Sequence, residues 1–292
     1  MSFVPAIKQE SKLRMAIAGP AGSGKTYTGL SIAQSLANGG KIAVLDTEHG
    51  SASKYADLFA FDVQEMDAPF HPDRFAAAIR EAQQAGYKVV VLDSLSHAWN
   101  GTGGLLEIVD QIAARSNSRN TFAAWKEGTP IQNRFIETML QADIHIIATM
   151  RQKQDYVLEA DERGKQKPVK VGLAAVQREG FEYEFDVVMN MDIDNMGVIV
   201  KTRCPELQGG VYRKPGKDVA GVLANWLVGA PRVEMTDPFS DKAVNYAAKQ
   251  WNISPKEARE AIQHALDTDK LTQPVTKEAF KAFVTDPNPE PA

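Results

Sequence analysis

The sequence predicts an α/β fold: a mostly parallel sheet flanked by helices, with antiparallel edge strands and a small C-terminal helical appendage. Three observations predict it. Short apolar runs that suit buried strands alternate with helical stretches over the first half of the chain. Residues 185–202 have the pattern of an antiparallel strand pair. Residues 240–284 contain only short amphipathic helical patterns.

Composition limits the class of protein. A chain of 292 residues can hold one large domain and a small appendage. A net charge of −4 excludes a polycation, so any nucleic-acid contact must come from a local basic patch. The one cysteine, Cys204, excludes a disulfide within the chain and fits a reducing compartment. No zinc-type cluster, signal-peptide core or membrane-length apolar run is present, which predicts a cytoplasmic protein without membrane contact.

The elements of the predicted sheet follow in order along the chain. The parallel strands are expected at 13–18, 41–46, 61–66, 88–93 and 144–150. The run KVVVLD is the clearest of them, because four consecutive apolar residues end in an acid. Helices are expected at 26–37, 72–85, 104–115 and 130–142. Glycines end the first two of these helices.

The second half of the chain has a different pattern of polar and apolar residues. The polar segment 151–180 contains several glycine and proline breakers, and a flexible loop is expected over residues 151–172. Beyond it, 185–191 and 197–202 are predicted to pair antiparallel. The expected domains are a tail 1–11, a core 12–229, a linker 230–239, a helical domain 240–284 and a disordered tail 285–292. The helical domain is expected to hold helices at 242–251, 255–266 and 277–283, with Ser254 as a cap.

One motif dominates the functional prediction. The phosphate-binding loop G-x-x-x-x-G-K-[ST] is matched by Gly19, Pro20, Ala21, Gly22, Ser23, Gly24, Lys25 and Thr26. It lies between a predicted strand and a predicted helix, where backbone N–H groups and the helix dipole favour an anion. Lys25 is expected to reach the β- and γ-phosphates, Thr26 to bind Mg²⁺, and Tyr27 to complete the nucleotide contacts. The predicted cofactors are ATP and Mg²⁺.

Two carboxylates follow predicted strands. Asp93 ends the KVVVLD strand and is expected to hold Mg²⁺ opposite Thr26, although an acid can merely cap a strand. Ser94 follows instead of a glutamate, so another group must polarise the attacking water. Glu48, just past the second strand, lies on the ligand-binding edge of such a sheet. The alternative for Glu48 is a solvated loop acid.

These residues resemble the RecA-type recombinase core. The resemblance is carried by Asp46, Glu48, His49, Tyr55, Ala56, and the pair Asp93-Ser94. It implies a RecA-like P-loop NTPase core with Glu48 as the catalytic base. It also implies that Lys201 and Arg203 reach a nucleotide bound to a neighbouring subunit, in a homo-oligomer with the nucleotide at the subunit interface.

A narrower likeness covers roughly residues 12–228. The segments AGPAGSGKT, LDTEHG, VVVLDSLSHAW, IIATMR, REGFEYEFD and VKTR resemble phage-encoded RecA-like ATPases of the Sak single-strand annealing type. This implies a single-stranded DNA-binding ATPase of phage-type homologous recombination, acting in the cytoplasm of a bacterial host. A single-strand binding protein or a replication protein is a further expected partner. The N-terminal oligomerisation segment of larger recombinases is nearly absent, which argues against a regular filament and leaves rings or short oligomers open.

The segment after the IIATM strand carries the expected DNA contacts. Gln152 or Thr149 is favoured as the γ-phosphate sensor, but the sequence does not separate them from Arg151. The candidate DNA-binding residues are Arg151, Lys153, Tyr156, Arg163, Lys165, Lys167 and Lys170. Basic side chains suit the backbone of a single strand, and a tyrosine can stack a base for about 1–3 kcal/mol. A solvated β-hairpin is the alternative.

Other patterns leave alternatives open. Residues 117–126 offer a second loop with Phe122 and Trp125, or else the buried side of a helix. Trp226 and Trp251 are interpreted as core residues. A different function class, a nucleotide-switched helicase loader or recombination mediator acting through a protein partner, has the same motifs. A small-molecule kinase is disfavoured, because Glu48 has no role in it.

Overall fold

The computed structural model describes residues 8–115, 120–160, 166–229, 236–273 and 275–286, with only the backbone described for 154–160 and 166–173. The chain divides into two compact units. One spans Glu10–Val228 and the other contains the helices after Gly229. None of the helices in the described ranges is long and apolar enough to cross a membrane.

The larger unit is built on one mixed sheet. Its strands within the described ranges are β1 (Arg14–Gly19), β2 (Ile42–Asp46), β3 (Asp62–Glu65), β4 (Val89–Asp93), β5 (His145–Ala160), β6 (Gln166–Ala175), β7 (Val187–Met191), β8 (Met196–Thr202) and β9 (Val211–Arg213). The order is β3-β2-β4-β5-β1-β7-β8-β9. The strands from β3 to β7 in this order are parallel, and β8 and β9 continue the sheet antiparallel. Every predicted strand is found within two residues of its predicted start.

Helices cover both faces of this sheet. They are α1 (Lys25–Ala37), α2 (Pro72–Gln84), α3 (Ser96–Asn100), α4 (Leu105–Arg115), α5 (Thr121–Gln141) and α6 (Lys217–Leu227). Leu30 of α1 and Leu223 of α6 pack with Ile17 of β1 on one face. Phe75 of α2 and Phe135 of α5 pack on the other. The predicted fold class is therefore confirmed, including its helical layers and antiparallel edge strands.

The flexible-loop prediction for 151–172 was wrong. β5 does not end at 150 but continues to Ala160, and its outer part pairs antiparallel with β6. Gln152 lies opposite Ala175 at the base of this hairpin. Gly164, Pro168 and Gly172 were interpreted as breakers, although Val169, Val171 and Leu173 alternate as in a strand. The alternative of a β-hairpin is the correct one.

The second expected loop, 117–126, is also corrected. Helix α5 begins at Thr121 rather than 130, and Pro130 lies inside it. The side chain of Asn120 caps it by accepting hydrogen bonds from the N–H groups of Phe122 and Ala123. Trp125 stacks on Trp99 with ring centroids 5.9 Å apart. Residues 121–126 are thus the start of a helix, and Arg119 lies outside the described residues.

The smaller unit has a core of its own. It contains α7 (Asp241–Trp251), α8 (Pro255–Asp267) and α9 (Lys277–Thr285). Val244, Ile262 and Phe280 pack at its centre, and Trp251 packs against this cluster as predicted. Ser254 and Glu257 cap each other's backbone at the start of α8 in a capping box.

The amino end of β1 is held by two polar side chains. The guanidinium of Arg14, which is only 5% exposed, donates to the carbonyls of Leu140, Ala142 and Ile144 at and beyond the end of α5. This places a positive charge at a helix C-terminus, where the helix dipole stabilises it. The Nδ1 atom of His145 accepts a hydrogen bond of 3.0 Å from the N–H of Leu13. Burial lowers the pKa of His145 to about 4.

This lowered pKa predicts a loss of stability in acid. Because the folded protein keeps the ring neutral, the free energy of unfolding is undiminished above the unfolded pKa of about 6.5 and falls as the pH drops toward 4, by up to about 3 kcal/mol. His145→Asn keeps an acceptor for Leu13 but does not titrate. Urea unfolding at pH 7 and pH 4.5 should show a smaller acid loss in His145→Asn than in the wild type. An equal acid loss in both proteins would contradict the assignment.

Candidate nucleotide-binding site

Residues 19–24 connect β1 to α1 in a tight loop. Gly22 and Gly24 have φ angles of 81° and 85°, which favour glycine, and Gly24 caps the helix. A Cβ atom at Gly19 would lie 2.6 Å from the hydroxyl of Ser23 and 2.7 Å from the carbonyl of Met191. The glycines therefore allow the loop to close over the N-terminus of α1, where free N–H groups and the helix dipole form an anion site.

The polar side chains of the loop fit a bound phosphate. The Nζ atom of Lys25 donates 2.8 Å to the carbonyl of Pro20. Burial lowers the pKa of Lys25, and the carboxylates of Asp93 and Glu48 act in the opposite direction. The hydroxyl of Ser23 is buried and, within the described part of the chain, has no hydrogen-bond partner. An unsatisfied buried donor in this loop fits an anionic ligand.

Asp93 lies at the carboxyl end of β4, between two hydroxyl groups. Thr26 donates 2.8 Å to its Oδ2 atom, and Thr149 of β5 donates to Oδ1. Burial raises the pKa of Asp93, while both hydrogen bonds lower it. A hydroxyl and a carboxylate are the oxygen ligands that Mg²⁺ takes beside a phosphate loop, so the donors fit the ion. Thr149 contacts this pair directly.

Glu48 lies on the same edge of the sheet, in the turn after β2. The buried carboxylate of Asp46 fixes this turn by accepting hydrogen bonds of 2.6 Å from the N–H of Glu48 and 2.8 Å from that of Ala52. The carboxylate of Glu48 forms a bidentate ion pair with Arg151, at 2.9 Å from Nε and 2.5 Å from Nη2. The Glu48 side chain is 25% exposed. Its carboxylate is thus paired with Arg151, the last residue of β5 that pairs with β1.

The remaining candidates on this edge have different surroundings. Arg151 pairs with Gly19 of β1 in the sheet, and Gln152 follows it at the base of the hairpin. Lys153 is exposed. Tyr156, Lys167 and Lys170 lie on the two hairpin strands, whereas Arg163 and Lys165 lie outside the described residues. Tyr27 is 42% exposed and packs edge-on against Tyr55 and Phe59.

Lys201 and Arg203 lie away from the phosphate loop of their own chain. Because β8 runs antiparallel to β7, Thr202 pairs with Val187 at the amino end of the parallel strands. Lys201 donates to the carbonyls of Glu182, Tyr183 and Phe185. Arg203 forms an ion pair of 3.0 Å with Asp186. Both side chains thus have partners within the chain.

Sequence reasoning missed three polar residues around this site. The hydroxyl of Thr47 contacts the backbone of Ser94 and, at 2.7 Å, the Nδ1 atom of His97. The hydroxyl of Ser96 accepts 2.9 Å from the N–H of Arg151. Each of these residues lies close in sequence to Glu48 or Asp93, which the sequence did single out. The neighbouring sequence does not indicate which residue each of them contacts.

The chain was compared with known proteins in three ways. Among 143 matching chains of solved structures is one described as the crystal structure of the RadB recombinase. It has 16% identity, covers 72% of this chain and 86% of its own, and gives a TM-score of 0.37. A search of curated proteins finds no match. A family model described as an AAA domain matches residues 11–217, which include the phosphate loop, Glu48 and Asp93. The chain therefore belongs to the AAA domain family, AAA_24.

Proposed function

We propose that this chain is an ATP- and Mg²⁺-dependent ATPase that binds single-stranded DNA and promotes annealing or strand exchange in phage-type homologous recombination. One observation carries the proposal. Glu48 lies on the edge that holds Lys25 and Asp93, and it is paired with Arg151, where β5 leaves the sheet to form the hairpin. The ion pair therefore connects the edge of the sheet that carries Lys25 and Asp93 to the start of the basic β5–β6 hairpin. Membership of the AAA domain family supports nucleotide binding.

Each residue of the site is proposed to have a separate role in ATP hydrolysis. Lys25 and the N–H groups of the loop would hold the β- and γ-phosphates, and Thr26 with Asp93 would hold Mg²⁺. When bound, Mg²⁺ neutralises charge that develops on the phosphates. Glu48 would orient the attacking water and accept its proton. Gln152 or Thr149 remains the proposed sensor of the γ-phosphate, and Thr149 already touches Asp93.

The ion pair between Glu48 and Arg151 suggests how hydrolysis responds to DNA. While Arg151 binds both carboxylate oxygens, Glu48 is a weaker base for the attacking water, because the positive charge stabilises its ionised form. A γ-phosphate on the same edge competes for the guanidinium, because Arg binds phosphate and carboxylate with the same bidentate geometry. Since Arg151 begins the hairpin, a nucleic acid bound there also acts on this pair. Release of Glu48 is therefore coupled to both ligands.

The hairpin is the proposed DNA-binding element. Its basic residues (Arg151, Lys153, Arg163, Lys165, Lys167 and Lys170) suit a phosphate backbone, and Tyr156 suits a base. The protein is proposed to work as a homo-oligomer in a bacterial cytoplasm, where Lys201 and Arg203 act on a neighbour's nucleotide and a single-strand binding or replication protein is a partner. This role in trans requires both side chains to leave their present partners.

The test is ATP hydrolysis with and without single-stranded DNA at two salt concentrations. Strong stimulation that fades with salt is expected. Replacing Lys153, Lys165, Lys167 and Lys170 with glutamine should reduce it, and should lower the salt slope of DNA affinity by roughly 0.7 for each lysine that contacts a phosphate. The matched control replaces Lys242, Lys249, Lys256 and Lys281 of the C-terminal unit, which removes the same charge elsewhere.

The opposite results favour another function. Equal loss in both lysine variants would show that net charge, not the hairpin, governs binding. Hydrolysis that is indifferent to DNA, or nucleotide binding with no hydrolysis, would replace this proposal with a nucleotide-switched helicase loader or recombination mediator.

A further inference from the structure

Thr47 is the junction between the two strand ends that carry the site. It follows Asp46 at the end of β2 and precedes Glu48. Its N–H donates 2.7 Å to the carbonyl of Asp93. Its hydroxyl lies 2.8 Å from the N–H and 3.1 Å from the carbonyl of Ser94. The turn that bears Glu48 is therefore attached to the strand end that bears Asp93 through one buried side chain.

His97 completes this attachment from a third element. It lies in the short helix α3, and its Nδ1 atom is 2.7 Å from the Thr47 hydroxyl. Its ring stacks on Phe70, with centroids 4.9 Å apart, and its carbonyl accepts 2.9 Å from the N–H of Gly101. Phe70 thus restrains the ring, and Gly101 restrains the backbone of His97. Because the one hydroxyl proton of Thr47 is donated to the carbonyl of Ser94, Thr47 accepts from Nδ1, and the contact requires the neutral tautomer that is protonated at Nδ1.

Burial and the surrounding charges keep the imidazole ring of His97 neutral. Burial lowers the pKa of His97, and the positive charge of Arg151 lowers it further, while Glu48 raises it and His49 lowers it. The ring is therefore uncharged at pH 7. It does not compete with Arg151 for Glu48, and its role is to hold Thr47 rather than to exchange protons with water.

We propose that His97 is a positioning residue for Glu48, which it acts on by locking the Thr47 side chain against the end of β4. This inference rests on the proposed ATPase function. A rotation of the Thr47 side chain would break its contacts with Ser94 and leave the turn that bears Glu48 held by the Asp46 carboxylate and by the N–H of Thr47. Displacement of a catalytic group by about 1 Å can cost 10²-fold in rate. A histidine that only fills space would not control the position of the Glu48 carboxylate.

The test compares two substitutions that separate packing from hydrogen bonding. His97→Phe keeps a ring on Phe70 but removes the nitrogen, whereas His97→Asn keeps a donor and an acceptor at the same distance from the backbone. We expect His97→Phe to lower kcat by about 10- to 100-fold with KM for ATP unchanged. His97→Asn should restore kcat to within about threefold of wild type. If phenylalanine is not tolerated, His97→Leu serves the same comparison.

Two further measurements make the outcome decisive. In a Glu48→Gln background, His97→Phe should cause no additional loss, because two changes that remove the same step are not additive. Hydrogen exchange of residues 46–52, which needs no hydrolysis, should be faster in His97→Phe than in His97→Asn. The inference is overturned if His97→Phe lowers kcat by the same factor in the Glu48→Gln background as in the wild type. It is also overturned if residues 46–52 exchange equally fast in His97→Phe and His97→Asn. If Glu48→Gln itself hydrolyses ATP normally, the assignment of Glu48 fails instead.

Discussion

Glu48→Gln is expected to bind ATP as tightly as the wild type and to hydrolyse it about 10²- to 10⁴-fold more slowly, since an amide cannot accept the proton of the attacking water. The substitution preserves the shape of the side chain and the backbone contact of Glu48 with Asp46. It also removes the charge that pairs with Arg151. Because that pair is partly exposed, its loss should change the free energy of unfolding by no more than about 1 kcal/mol.

The measurement is single-turnover hydrolysis together with equilibrium binding of a fluorescent ATP analogue. Glu65→Gln is the matched control, because Glu65 is an exposed acid at the end of β3 on the same edge of the sheet. It should leave both quantities unchanged. Unchanged turnover in Glu48→Gln would remove Glu48 from the role of base, and lost binding would show that it acts on the nucleotide itself.

Lys25→Met should abolish measurable hydrolysis and weaken ATP binding by about 10- to 100-fold, the value of one lost charge-assisted hydrogen bond to a phosphate. Methionine keeps an apolar stem in the half-buried site but removes the ammonium group, which here contacts the carbonyl of Pro20. The loss has two parts, since Lys25 serves both the bound triphosphate and the charge that develops during its cleavage.

Binding of ATP and ADP, measured calorimetrically, checks this expectation. Lys54→Met is the control, because Lys54 is exposed in the segment that follows Glu48 and contacts no part of the phosphate loop in the described structure. A thermal unfolding curve verifies that Lys25→Met is folded. If Lys25→Met binds ATP normally, the loop does not hold the nucleotide as its sequence predicts. Together the two variants would distinguish a residue needed for both binding and turnover, as expected of Lys25, from one needed for turnover alone, as expected of Glu48.

Helix and strand bounds show where local sequence is sufficient. β4 was predicted from four consecutive apolar residues, and it forms the centre of the parallel region beside β2 and β5. The hairpin was weighed only as the alternative to a flexible loop. Helix α5 was expected from 130, although a cap at Asn120 begins it earlier. The pairing of β5 with β6 is a tertiary contact, whereas the cap at Asn120 is a local signal that was not used.

The sequence by itself determined the phosphate loop, the strands that flank it and the carboxylates at their ends. These features depend on backbone conformation and apolar runs, which neighbouring residues specify. Only the tertiary structure decided which side chains of the site contact one another. The pairing of Glu48 with Arg151 joins residues 103 positions apart, and that of Thr47 with His97 joins residues 50 apart. Such contacts depend on which strands become neighbours and in what register, and one residue's local environment in the chain does not encode its partner across the sheet.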